Sequence, residues 1–125
     1  MTKEKLQALL AEWQKRLRLQ DWKIYVEISR NRDMKFEGNG GEVHWQIEAK
    51  QAVINIIDPI DYPPNTMVEQ DMEQTLVHEL LHLHFAPFDA DAGTPQDTAQ
   101  EQVIHAIAEA LVKLKRENQV EGVSP

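Results

Sequence analysis

Apolar positions change their period along the chain, and each change marks an element. Leu6, Leu9, Leu10, Trp13 and Leu17 recur at intervals of three and four, which predicts an amphipathic helix over 3–18. From Trp22 to Ile28 the run WKIYVEI alternates and is rich in β-branched and aromatic residues, the pattern of a half-buried strand. Charges and the run Gly38-Asn39-Gly40-Gly41 make 29–41 a loop. Alternation returns over Glu42–Glu48, and Ala52–Ile57 is a third strand. The short link at 49–51 makes these two an antiparallel hairpin.

Asp58-Pro59 and Pro63-Pro64 break the sheet pattern. Thr66 to Glu69 has capping-box spacing, so a helix is expected from there to about Phe85, with Pro87 ending it. Thr94-Pro95-Gln96-Asp97 is a second helix start: a hydroxyl cap, a proline in the first turn, then an acid. Ala99, Val103, Ile107, Ala110, Leu111 and Leu114 continue a helical period to about 117. The order α-βββ-α-α predicts an α+β fold, a small, mainly antiparallel three-stranded sheet packed with N-terminal, middle and C-terminal helices. The expected organisation is one domain over 1–118, with 119–125 a flexible tail.

Composition narrows the chemistry. The chain has 125 residues, 42% of them hydrophobic, so it can bury one modest core. Its longest apolar runs are too short to span a bilayer, and its first helix lacks the apolar stretch of a signal peptide; a cytoplasmic protein is expected. A net charge of −8 argues against nucleic acid as the partner. With no cysteine, any metal must be held by histidine and carboxylate. The charges are also segregated. Residues 51–112 hold no Lys or Arg, eleven Asp or Glu, and four of the five histidines.

Inside that stretch, His78-Glu79-Leu80-Leu81-His82 reads HExxH within a helical, apolar context. Histidines at i and i+4 differ by about 40° around a helix, so both imidazoles can reach one ion. Zinc suits such ligands. Glu79, rotated about 100° from His78, can stand beside the metal as general base for a water whose pKa the metal lowers. A third ligand must come from a facing element. Glu101 and His105 share one face of the last helix, and either can return to the site. His84 points away from His78, and His44 and the tyrosines Tyr25 and Tyr62 are read as packing residues. Trp13, Trp22 and Trp45 are read as core or lid residues.

The run Thr75 to His82, followed by Glu101-Gln-Val-Ile-His-Ala-Ile-Ala-Glu-Ala-Leu-Val112, resembles zincin metallopeptidases of the gluzincin type. It is similar to the minimal phage- and prophage-encoded proteins called minigluzincins, and to ImmA/IrrE-type peptidases. In the latter the third ligand lies in the pattern Glu-x-x-Ala-Asn-x-Phe-Ala-x-x-Leu. Glu101, Ile104, His105, Ile107, Ala108 and Leu111 fall on its six positions, and the chain departs from the pattern at His105. The resemblance implies a zincin-like fold, one zinc ion held by His78, His82 and Glu101, and hydrolysis of a peptide or protein substrate in a bacterial or phage-infected cell. If His105 binds instead, the ligand set is that of SprT-like relatives; otherwise His105 supports the ligands from behind. The alternative function is a non-enzymatic, metal-stabilised phage accessory or protein-interaction domain. A fourth protein ligand would distinguish it. The acidic middle stretch should also favour neutral or basic peptides over acidic ones.

Overall fold

A computed structural model describes residues 1–35, 40–64 and 68–123, with side chains as far as 119. The first helix, α1, spans Lys3–Arg16 and is capped by Thr2, whose hydroxyl accepts a hydrogen bond from the Lys5 amide at 3.2 Å. It buries Leu6, Leu10 and Trp13. It ends two residues short of the predicted boundary because Arg18 adopts a left-handed backbone, φ 58°. Gln14 then clamps the turn, donating to the carbonyls of Leu19 and Trp22, both at 3.0 Å.

Three strands follow: β1 (Lys23–Ser29), β2 (Gly41–Gln46) and β3 (Gln51–Ile57). The β2–β3 hairpin is antiparallel, as its short connection requires. The sheet order, however, is β1-β3-β2, and β1 pairs with β3 in parallel, Val26 opposite Ile54. The sheet is therefore mixed, where alternation alone suggested mainly antiparallel pairing. Alternation sets which face is buried and carries no information on strand direction. The result leaves β2 on an edge.

Ala52, Ile54 and Ile56 form the buried face of β3, continued by Val26 on β1 and by Val43 and Trp45 on β2. Helices α2 (Met72–Phe85) and α3 (Pro95–Val123) complete the fold. The helix α2 starts later than the capping box predicted. Thr66 lies outside the described residues, and Glu69 precedes the helix. Asp71 is the cap, accepting from the Gln74 amide at 3.0 Å. Asp71-x-x-Gln74 is itself a capping pattern, placed next to the first buried residue, Met72. Helix α3 begins where predicted, with the Thr94 hydroxyl accepting from the Asp97 amide at 3.2 Å. It runs past the expected end, to Val123, in a stretch with no Gly or Pro between Pro95 and Gly122.

Leu76, Val77 and Leu80 of α2 meet Ile104, Ala108 and Val112 of α3 over the sheet, all with essentially no exposure. A buried polar cluster ties the three helices together. Glu73 on α2 accepts from the Trp13 indole of α1 at 2.8 Å and pairs with Lys115 of α3. Lys115 also lies 2.9 Å from Glu12. No helix among the described residues is long and apolar enough to cross a membrane.

Candidate metal centre

Helix α2 buries Leu76, Val77, Leu80, Leu81 and Leu83 and turns His78 and His82 toward an open groove. The groove runs between α2, α3 and the edge strand β2, with Gly41, Glu42, His44 and Trp45 along its sheet side. The two imidazoles have ring centroids 5.3 Å apart. Helix α3 packs antiparallel to α2 and brings Glu101 between them. One carboxylate oxygen lies 3.1 Å from His78 Nε2 and the other 2.8 Å from His82 Nε2. One ligand atom each from His78, Glu79 and His82 also falls within 4.8 Å of the others.

Two carboxylates thus meet the histidine pair, and their surroundings differ. Glu101 is half-exposed and engages both imidazoles. Glu79 is buried at 7% exposure, lines the groove, and takes no hydrogen bond from the described residues that would offset its burial. Burial, then the charges of Glu101 and Glu42, push its carboxyl up to about 8. Burial is also the largest influence on His78 and holds it below the ordinary histidine range, with the attraction of Glu101 opposing. A neutral imidazole is the form that ligates metal.

The donor set fits a divalent ion. Ligand atoms at about 2.0–2.2 Å from a tetrahedral centre stand roughly 3.3 Å apart. Nε2 of each histidine is already near that distance from an oxygen of Glu101. Two nitrogens and a carboxylate with no thiolate suit zinc or a neighbouring first-row metal.

The other predicted positions divide cleanly. His105 stands beside the triad, its ring centroid 6.2 Å from that of His78, with its Nε2 toward Glu109 at 3.5 Å. His84 points away, as its helical angle requires, and contacts the Leu17 carbonyl at 2.7 Å. Tyr62 lines the groove and donates to the Val68 carbonyl at 3.1 Å, whereas Tyr25 lies exposed on the sheet. Trp13 and Trp22 belong to the core.

Two residues near Glu79 escape sequence reasoning. Glu42, at 4% exposure, pairs with His44 and accepts from the Lys35 amide at 3.2 Å and the Asn55 amide group at 3.4 Å. Its place in an alternating strand puts it on the polar side, and no local pattern shows that the Lys35 amide, His44 and Asn55 gather around it. Gly41 lets β2 approach α2: a Cβ there would lie 2.6 Å from Thr75 Cγ2 and 3.4 Å from Glu79 Cγ. Comparison with protein-family models, curated proteins and solved structures finds no match for the chain.

Proposed function

We propose that this protein is a zinc-dependent peptidase in which His78, His82 and Glu101 hold the ion and Glu79 moves the proton. The convergence of both imidazoles on the Glu101 carboxylate carries this reading. A zinc ion, when bound, would make a water nucleophilic near neutral pH and polarise a peptide carbonyl. Glu79 accepts the proton of the attacking water and returns it to the nitrogen of the leaving amine as the C–N bond breaks. Its position in the groove, without a donor from the described residues, leaves its carboxylate free for that role.

The substrate lies along β2. β3 is central and its pairing is used on both sides, so β2 supplies the edge. An extended peptide added there would run through the groove past Glu79. A closed structural site would need Glu79 or His105, the two side chains beside the triad, as its fourth ligand, so full metal retention in both Glu79→Gln and His105→Ala would count against it.

Metal analysis of protein purified without added zinc tests the centre. Stoichiometric metal is expected in the wild type, strong loss in Glu101→Ala, and retention in His105→Ala with affinity lowered up to about 100-fold. Loss only in His105→Ala would move the third ligand to that residue. Stoichiometric zinc with no cleavage of any member of a peptide library would favour the structural reading.

A further inference from the structure

The groove extends well beyond the metal centre in both directions, and carboxylates line it throughout. Among its described residues the one Lys or Arg is Lys35. Several of these acids are already engaged: Asp71 by Arg116 at 2.7 Å, Glu42 by His44, and Glu101 by the two imidazoles. Four remain. The antiparallel pairing of α2 and α3 sets their places. Glu101 faces His82, while Lys115 and Arg116 reach Glu73 and Asp71 at the start of α2. Glu109, two turns beyond Glu101, therefore lies toward the start of α2, as does Glu69. Asp97, one turn before Glu101, lies toward the other end together with Asp89.

None of these four has a Lys or Arg partner among the described residues. Asp97 accepts from the Gly93 amide at 3.1 Å, and Asp89 from the Gln100 side chain at 2.6 Å. Both are held in position by neutral donors. From Asp97 to Glu109 the helix rises about 18 Å, the length of five or six residues of extended chain. Two further observations point to a peptide in this space. The β2 edge lies along it, and Glu79, buried and unpartnered, is aimed into it.

We infer that the two ends of the groove are cation-binding subsites, Glu69 with Glu109 and Asp89 with Asp97, which select peptides carrying Lys or Arg on both sides of the segment held at the metal centre. The inference rests on the groove taking an extended peptide, as proposed above. A bound divalent ion compensates Glu79 and Glu101 at the middle and leaves the end carboxylates uncompensated. Opposite charge at the ends then attracts a basic strand and repels an acidic one.

The test uses the full chain carrying Glu79→Gln, loaded with zinc, and fluorescent peptides that share a neutral core and differ only in flanking Lys, Gln or Glu. Exposed ion pairs each give a factor of about two to five. The Lys-flanked peptide should bind about tenfold more tightly than the Glu-flanked one at low salt, with the difference shrinking at high salt. The pair Glu69→Gln and Glu109→Gln should remove the preference at one flank only. Asp89→Asn with Asp97→Asn should remove it at the other. Equal binding of all three peptides, or binding of none, overturns the inference; cleavage by wild-type protein would then leave the peptidase reading standing. A salt-sensitive preference for Lys flanks without any cleavage by wild-type protein would support the subsites and sink the peptidase reading.

Discussion

Glu73 and Glu79 stand six residues apart on α2, at 8% and 7% exposure, and their chemistry runs in opposite directions. Six residues are about 240° of helix, so the two face different parts of the molecule. Burial pushes both carboxyls up. For Glu73, hydrogen bonds from Lys115 and the Trp13 indole outweigh it and hold the carboxyl below its ordinary value of 4.5. Glu79 has no such donor, and Glu101 and Glu42 add to the effect of burial. Burial alone therefore does not say whether a charge holds a fold together; its partners do. Glu73 ties three helices. Glu79 has no donor on the protein and lines the groove where a reaction would use it, which is a common mark of a functional group.

The largest effect expected from this contrast is on catalysis. Glu79→Gln should lower peptide hydrolysis about 10²- to 10⁴-fold while metal content stays stoichiometric. Metal loss in that variant would make Glu79 a ligand and erase its difference from Glu101. The same substitution should change stability with pH in metal-free protein. The carboxyl of Glu79 is raised on folding, from 4.5 to about 8, so its contribution is fully present below the unfolded value and declines as pH rises toward 8. Denaturant titrations should show Glu79→Gln gaining on wild type by roughly 4 kcal/mol between pH 4.5 and 8. Parallel curves across that range would refute the unpartnered state of Glu79.

Glu73 should behave as the mirror image. Glu73→Gln leaves Lys115 with a weakened cage and should cost about 3 kcal/mol, measured by urea unfolding. Activity per folded molecule should be unchanged. The double variant Glu73→Leu with Lys115→Met should recover much of that loss, because no unpaired charge remains buried. Because the carboxyl of Glu73 is depressed on folding, its stabilisation is present above about pH 4.5 and is lost as pH falls through the lower folded value. Wild type should thus lose the Glu73 contribution on the acid side and, without metal, the Glu79 contribution on the alkaline side.

The sequence carried some of this contrast and not the rest. Helical period placed His78, Glu79 and His82 around one groove-facing side, and the one-turn spacing of Glu101 and His105 offered both as partners. The hydroxyl and proline at Thr94-Pro95 set the start of α3 because capping is a local interaction. Strand direction and the edge position of β2 depend on which strands pair, and Val26 opposite Ile54 is a contact across 28 residues. No local pattern encodes such a pairing. Glu73 was equally hidden: an acid in the first turn of a helix reads as a solvated charge until Trp13 and Lys115, 60 residues before and 42 after it, close over it.

The smallest effect concerns the wall that separates Glu79 from solvent on the sheet side. Gly41 has no left-handed backbone to excuse it. Its reason is contact, since a Cβ would meet the Thr75 methyl at 2.6 Å and the Asn55 carbonyl at 3.4 Å. The methyl belongs to a stiff β-branched side chain whose hydroxyl already donates to the Asp71 carbonyl at 3.1 Å, so it cannot swing aside freely. Gly41→Ala should therefore shift β2 away from α2 at a cost of about 1–2 kcal/mol, seen as a lower unfolding midpoint. Adding Thr75→Ser removes the clashing methyl and keeps the hydroxyl, and should restore most of the loss. If it does not, the close approach is set by the Asn55 carbonyl within the sheet. Gly41 would then shape the hairpin alone and have no part in how tightly β2 closes over Glu79.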